Sequence, residues 1–483
     1  MYVDCFVKEK HMILQGYIWS ILYGVACLLL GLVAYKLGMN KKYTRKLVHI
    51  LVGMEWVILY HFMGETIHFF IVCLMFTALL MVSHLRHLMP MIASDEENSI
   101  GTVYYGVSMS IMSLCAFFIP ELMLPFGAAV MITSFGDGFS GVIGQLITKK
   151  NPRICGNKTL FGSLAGLSFS FLFIYIFSLV YSMPLRLWQM ILVAIFATLL
   201  ELITRKGLDN ISIPIASFLF IYACLYIPEI TGYLCPILLT PIVIWVAGEK
   251  SVLTRGGILC AVILDCIISF VFGNLGFLAL LVFLILGVLS DKIKHAGRHK
   301  KSECRSYFQV FANAAPAAAC AICYVIYPHV AFLIGFLAAM GESLADTMAS
   351  GIGARDKRVF DLFRMQKCAV GVSGGMSLLG TSAAALGAAI MMLLGYAFVG
   401  GVVWLFLVGG AAAFLGCIFD SLLGSLVQVK YRCSVCGAYV EKGEHCNQKA
   451  IRIRGFLMFD NDTVNFFSSL FAAIFAIVLC FVL

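Results

Sequence analysis

The sequence predicts an all-α, polytopic transmembrane protein of about 14–16 helices arranged as two related helical-bundle halves. Three observations carry that prediction. Of the 483 residues, 61% are hydrophobic and only 12% charged, with a mean hydropathy of +0.97, whereas about a quarter of a soluble domain is charged. Apolar runs near the ~20-residue spanning length recur from Ile13 to Leu483, several of them broken by Gly or Pro. Lys and Arg gather in the stretches between these runs, the pattern of loops that stay on the cytoplasmic side. A soluble globular enzyme is excluded. The net charge of +9 fits one basic membrane rim facing anionic lipid and gives no sign of a nucleic-acid partner.

Taken in order, the first run, "ILYGVACLLLGLVAY", follows a mixed-charge N-terminus without a convincing small-residue cleavage site, so it reads as a retained helix. Next comes "MNKKYTRK", which opens the run "RKLVHILVG", and then "SIGTVYYGVS", where Tyr104 and Gly106 are weaker site candidates. "SFGDGFSGVIGQLITKK" sets Asp137 between Gly136 and Gly138 at the end of an apolar segment, just before a basic loop. A carboxylate at that depth is costly without a partner, which makes it a functional candidate. The 18 cysteines mostly stand singly in apolar runs and read there as small buried hydrophobes.

The stretch around Asp137 has a second copy. Asp346 precedes Gly353 by the spacing that separates Asp137 from Gly144, and Lys158, Gly162 and Gly166 follow Asp137 at the distances at which Lys367, Gly371 and Gly375 follow Asp346. Upstream, Arg45, His49 and Gly53 face Arg305, Gln309 and Asn313; downstream, Glu201, Asp209 and Asn210 parallel Asp420, Asp460 and Asn461. The chain therefore reads as two domains, residues 1–228 and 229–483.

An acidic residue, small residues that let a ligand approach, and a lysine about twenty residues on suit a phosphate and its metal. Carboxylates hold Mg²⁺ through one or two contacts while substrate phosphates complete its shell. Arg45, Lys46 and His49 add cations and a proton-transferring group, and Glu342, one helical turn before Asp346, places a second carboxylate where it could share a metal. The set describes a nucleotide–magnesium site beside a groove open to lipid. No Walker G-x-x-x-x-G-K-[ST] pattern occurs.

"RKLVHILVG", "GDGFSGVIG", "NKTLFGSLAG" and "LDNISIP" resemble the polyprenol, dolichol and phytol kinase family, related to phosphatidate cytidylyltransferases, over about residues 40–225. From "GEKSVLTRGG" through "SYFQVFAN", "ADTMASGIG", "GVSGGMSLLGT", "FDSLLGSLVQ" and "DNDTVNFFSSL", the second half resembles the integral-membrane family that includes phytyl phosphate kinase. These resemblances imply two successive phosphorylations of an isoprenoid alcohol, to the monophosphate and then the diphosphate, with CTP or another nucleoside triphosphate as donor. In the first half Asp137 or Asp209 would place Mg²⁺, while Lys158 and Arg45 would neutralise the transferring charge, with Lys46, Gly136, Gly138, Gly144, Asn157, Gly162 and Asn210 around the phosphates. In the second half Asp346, Glu342, Asp420 and Asp460 would handle metal and Lys367 phosphate, with Arg305, Gln309, Asn313, Gly353, Gly371, Gly374, Gly375, Asn461 and Asn465 around them. His49 suits a general base by type, and Gln309 leaves the second half in need of another.

Two other classes stay open at this level: a cytidylyltransferase making a CDP-lipid with the same metal and cation set, and a transporter built from duplicated halves. Charges clustered at one rim argue against the transporter. The resemblance also implies a multi-pass protein of a prokaryotic plasma membrane, with its active-site loops cytoplasmic. Finally, "CSVCGAYVEKGEHC" offers Cys433, Cys436, His445 and Cys446, a C-x₂-C followed by His-Cys, as four ligands for a structural Zn²⁺. The three cysteines with one other ligand are the alternative.

Overall fold

The computed structural model describes residues 2–86, 100–147, 151–156, 158–204, 207–227, 229–295, 304–361, 363–368, 373–437, 439–440, 444–446 and 448–482. It is an all-α membrane protein: among the described residues, 14 helical segments are long and apolar enough to cross a bilayer. Contacts divide the chain into two compact units, Met1–Ile230 and Thr231–Leu483.

The first unit runs α1 (Tyr2–Lys36), α2 (Lys41–Gly53), α3 (Glu55–Met63), α4 (Ile67–Arg86), α5 (Gly101–Phe118), α6 (Met123–Met131), a π-helical turn (Ile132–Asp137), α7 (Gly138–Leu146), the hairpin β1 (Arg153–Cys155) and β2 (Lys158–Thr159), α8 (Leu160–Val180), α9 (Leu187–Ile203) and α10 (Asp209–Tyr226). Local sequence sets several of these starts. The Asn40 side chain accepts the Lys42 N–H at 3.0 Å to cap α2. Pro120, whose missing N–H has no helical partner to lose, opens the segment leading into α6. Thr159 caps α8 by accepting the Gly162 N–H at 3.4 Å.

The second unit runs α11 (Leu234–Glu249), α12 (Arg255–His295), α13 (Tyr307–Ile326), α14 (Val330–Gly353), the hairpin β3 (Phe360–Asp361) and β4 (Gln366–Lys367), α15 (Leu378–Val399), α16 (Val403–Leu426), the strands β5 (Lys430–Arg432), β6 (Tyr439–Val440), β7 (Glu444–His445), β8 (Gln448–Lys449) and β9 (Ile451–Arg454), and α17 (Asn461–Val482). α12 is two membrane segments joined at Gly273, which has φ +54° and approaches so closely that a Cβ there would lie 2.5 Å from the Gly232 carbonyl oxygen. Glycine is the residue that meets both demands. The strands between α16 and α17 form a three-stranded sheet of order β6-β5-β9 and a separate β7-β8 hairpin.

In each unit the helix carrying the repeated aspartate is the one most enclosed by protein. In the most apolar stretches of Pro120–Leu146 and Val330–Gly353, 89% and 78% of residues are buried, against at most 56% in the other segments. α14 itself carries Ile334, Phe336, Leu337 and Met340, all fully buried. Lipid offers no hydrophobic drive between helices, so close van der Waals approach of small residues does the holding. Each unit has such an approach beyond its aspartate. A Cβ on Gly144 would lie 3.3 Å from the Gly162 Cα, and one on Gly353 would lie 2.9 Å from the Gly380 Cα.

Candidate active sites

In the first unit, α2, α7, the β1–β2 hairpin, α8 and the ends of α9 and α10 enclose a cavity of about 930 Å³. Its floor is a chain of charges. Lys46 Nζ sits 2.7 Å from Asp137 Oδ2 and donates to the Asp137 carbonyl oxygen at 3.1 Å. Lys158 Nζ donates to Glu201 Oε1 at 3.0 Å and lies 3.6 Å from Asp209 Oδ2. Ser140 Oγ also donates to Glu201. Burial works to lower the Lys158 pKa, but Glu201 and Asp209 outweigh it and raise the ammonium above its ordinary value. Asp137 is buried, and its Oδ1 has no hydrogen-bond partner among the described residues.

His49 Nε2 lies 3.2 Å from the Thr133 carbonyl oxygen and 3.6 Å from Asp137 Oδ2. A carbonyl can only accept, so Nε2 carries the hydrogen and Nδ1 keeps its lone pair. The ring packs edge-on to Tyr105, their centroids 4.8 Å apart. The lining also includes the apolar side chains of Val48, Val52, Phe76 and Leu80. One cavity thus brings charged and apolar side chains together.

Most residues expected in this half come together: Arg45, Lys46, His49, Asp137, Gly144, Lys158, Gly162, Asp209 and Asn210 all line the cavity. Gly136 and Gly138 do not. The space a Cβ would need at Gly136 is taken by Ser170 of α8, and at Gly138 by Ile50 of α2, so both are packing glycines. Gly141 is the one that serves the charges, since a Cβ there would lie 2.5 Å from Lys46 Cε and block its path to Asp137. Tyr105, not Tyr104, faces the cavity, and Gly106 packs on Thr77. Asn157 lies outside the described residues. Glu201 received no role from the sequence although it ends the apolar helix α9, a placement that could have marked it.

In the second unit a cavity of about 530 Å³ holds Arg305, Gln309, Asn313, Asp346, Gly353, Gly374, Gly375, Asp420, Asn461 and Asn465, all expected from the sequence. Its electrostatics differ. Glu342 is 1% exposed, stands one helical turn from Asp346, and has an Oε1 with no hydrogen-bond partner among the described residues. Asp420 accepts from Ser468 Oγ at 3.3 Å. Arg305 donates to Asp291 Oδ2 at 3.1 Å, its guanidinium filling the space left open at Gly287. The Gln309 amide oxygen accepts the Ser306 N–H at 2.9 Å and closes the capping box of α13. A neutral capping amide stands in this wall, not an imidazole.

Three expectations for this half are corrected. Lys367 is exposed on β4 and does not line the cavity. Asp460 is exposed and accepts the Thr463 N–H at 2.9 Å as the cap of α17, so its neighbours Asn461 and Asp462 reach the cavity instead. Glu342 sits behind the cavity wall, against Gly416, rather than on it. Gly371 lies outside the described residues. Asp265, a carboxylate within the apolar run of α12 that received no role from the sequence although it carries the same signal as Asp137, also lines this cavity and accepts from Ser269 Oγ at 2.7 Å and Thr240 Oγ1 at 3.0 Å.

The Sγ atoms of Cys433, Cys436 and Cys446 lie within 4.8 Å of one another. His445 belongs to β7, and its side chain lies outside the described residues.

Residues 238–473 match the family model described as integral membrane protein DUF92. The chain is 28% identical over 195 residues to a phytol kinase of Synechocystis, a span of 38% of this chain and 80% of that protein. It is 29% identical over 188 residues to an uncharacterized membrane protein of Methanocaldococcus jannaschii, a span of 38% of this chain and 77% of that one. No solved structure matches. The chain is thus an integral membrane protein with a kinase-like relative over part of its length.

Proposed function

We propose that the protein is a pair of lipid phosphotransferases: the first unit phosphorylates an isoprenoid alcohol, with CTP or another nucleoside triphosphate as donor, and the second phosphorylates the resulting monophosphate. The observation that carries this reading is the first cavity, where Lys46 and Lys158 pair with Asp137 and Glu201 next to an apolar wall, in a chain similar to a phytol kinase. The motifs that resemble that kinase family lie in the first unit.

In the first unit His49 Nδ1 takes the hydroxyl proton as the lipid oxygen bonds to the γ-phosphorus. The bond from that phosphorus to the β-phosphate oxygen breaks, the nucleoside diphosphate leaves, and the proton passes from His49 to solvent. Arg45, Lys46 and Lys158 neutralise charge on the transferring group. Asp137 Oδ1, buried and without a protein partner among the described residues, is the oxygen that would be offered to Mg²⁺. In the second unit the nucleophile is already a phosphate oxyanion, so no base is required, which accounts for Gln309 where the first unit has His49. Asp346 and Asp420, backed by Glu342, are the residues that would hold Mg²⁺ there. The basic loops and both sites face the cytoplasm of a prokaryote.

The test is the full chain in lipid nanodiscs with Mg²⁺, a length series of prenols, and CTP labelled at either the γ- or the α-phosphate. Label from the γ-position in prenyl mono- and diphosphate supports the reading. Label from the α-position in lipid means cytidylyl transfer, and nucleotide left unconsumed with every prenol means a carrier; either overturns it.

A further inference from the structure

The strands between α16 and α17 take no part in the chemistry above. We propose that Cys433, Cys436 and Cys446 bind one Zn²⁺, and that this metal clamps the β6-β5-β9 sheet so that it holds the Ser373–Gly375 wall of the second cavity.

The geometry of the three sulfurs comes first. Tetrahedral Zn²⁺ with Zn–S bonds of about 2.3 Å sets its sulfurs about 3.8 Å apart. The three Sγ atoms already lie within 4.8 Å of one another, so ligation asks for a contraction of about one ångström at most. They come from two separate pieces of chain, Cys433 and Cys436 at the end of β5 and Cys446 in the turn between β7 and β8. Around the first pair the backbone is already folded for an anion. The Val435 N–H donates to Cys433 Sγ at 3.4 Å, the Gly437 N–H donates to the Cys433 carbonyl oxygen at 3.0 Å, and Gly437 takes φ +70°.

Cys446 takes φ +52° in its hairpin turn, a left-handed conformation that glycine or asparagine adopts with far less strain. Such strain persists where the surroundings over-determine it, and a shared metal bond supplies that constraint. Three thiols also suit a metal better than a disulfide, which would leave one of them over. Each thiol releases one proton on binding, and three thiolates on Zn²⁺ carry a net charge of −1. Lys430, Arg432, Lys449, Arg452 and Arg454 lie on the same strands, and Arg432 Nε donates to the Gly437 carbonyl oxygen at 3.3 Å.

The connection to the cavity runs along β5. Lys430 Nζ donates to the Ser373 carbonyl oxygen, and Gln428 accepts from Ser373 Oγ. Gln428 Nε2 lies 3.4 Å from Asn461 Oδ1, and Asn461 lines the cavity as Ser373, Gly374 and Gly375 do. Gly374, at φ +84°, packs so close that a Cβ would meet the Ser425 nitrogen at 2.6 Å. Metal at one end of β5 therefore fixes the cavity wall at the other.

The test begins with the full chain purified without chelators. About one Zn²⁺ per chain is expected, released when a mercurial reagent caps the thiols, and Cys433→Ser/Cys436→Ser should lower zinc content at least about tenfold. Should that variant fold poorly, Co²⁺ added to reduced, zinc-stripped wild type decides the matter through thiolate charge-transfer and tetrahedral ligand-field bands. Hydrogen exchange should speed up over residues 373–377 on stripping, with 120–146 unchanged. A zinc-free native chain that gives no tetrahedral Co²⁺ spectrum overturns the site. So does zinc retained by the double variant, or a Cys433–Cys436 disulfide found under non-reducing conditions. Zinc bound with unchanged exchange at 373–377 overturns the positioning role.

Discussion

The two cavities sit beside corresponding helices yet handle charge in opposite ways. In the first unit the carboxylates of the cavity each have a lysine within reach, Lys46 on Asp137 and Lys158 on Glu201 and Asp209. In the second, Asp346, Asp420 and Glu342 gather around the same end of their unit, while Arg305 is turned to Asp291 and Lys367 stands outside. A buried anion needs a counter-charge. The first unit sets that charge directly on its carboxylates, whereas the second cavity is lined by Lys294 and by Arg305, which is turned to Asp291. The difference suits two acceptors. Under the proposed function an alcohol would bring no charge to the first cavity, while a monophosphate would bring its own anion to the second.

The sharpest way to break this comparison is to remove one aspartate at a time. Asp137→Asn should lower alcohol phosphorylation about 10³-fold while supplied monophosphate is still converted. Asp346→Asn should lower the second transfer about 10²-fold, so that monophosphate accumulates, and mixing the two variants should restore diphosphate. Product analysis by chromatography checks both. Loss of both products in either variant would merge the two cavities into a single reaction centre.

A smaller effect is expected from metal alone. Mg²⁺ without nucleotide should raise the unfolding temperature of Asp137→Asn by about 4 °C at saturating concentration, in line with binding linkage, and should leave Asp346→Asn within about 1 °C. Equal shifts in the two variants would erase the contrast.

Lys158 gives a pH signature that belongs to the first unit. Its pKa is raised in the fold, so its ion pairs contribute stability that is fully present below the unfolded lysine value and is lost as pH rises through the folded one. Alkaline unfolding of the wild type should therefore include a step above the ordinary lysine range that Lys158→Met lacks. Scanning fluorimetry across that range reads it. The smallest effect belongs to Lys367→Met, for which both transfers should stay within about twofold, as for an exposed side chain away from the reacting groups.

Much of the first site was legible because its residues announce themselves. Asp137 stands in an apolar stretch, and Lys46 and His49 open a helix on one face. The second site was legible in its carboxylates and asparagines but not in its cation, because equal counting along the chain does not survive an unequal connection. From Gly144 to the cap Thr159 is fifteen residues, and from Gly353 to the cap Ser377 is twenty-four. The packing partners are accordingly Gly144 with Gly162 and Gly353 with Gly380, and the count that matched Lys158 to Lys367 lands in an exposed hairpin. Gly136 and Gly138 misled for another reason: a sequence shows that a Cβ is missing but not which neighbour uses the space.

The π-helical turn at Ile132–Asp137 has a consequence for how such a site can change over generations. The helix cap Ile119 precedes Asp137 by eighteen positions, whereas His329 precedes Asp346 by seventeen, in a helix with no such turn. One added residue in an α-helix would rotate everything beyond it by about 100°. Looped out as a wide turn, the same residue leaves both flanks facing their old neighbours. A lineage can therefore gain or lose one codon here and keep its aspartate aimed, with only the carbonyls of the turn redirected. One of these, from Thr133, is the carbonyl that receives the His49 hydrogen, so a change of a single residue in length would decide which ring nitrogen is left to act as a base.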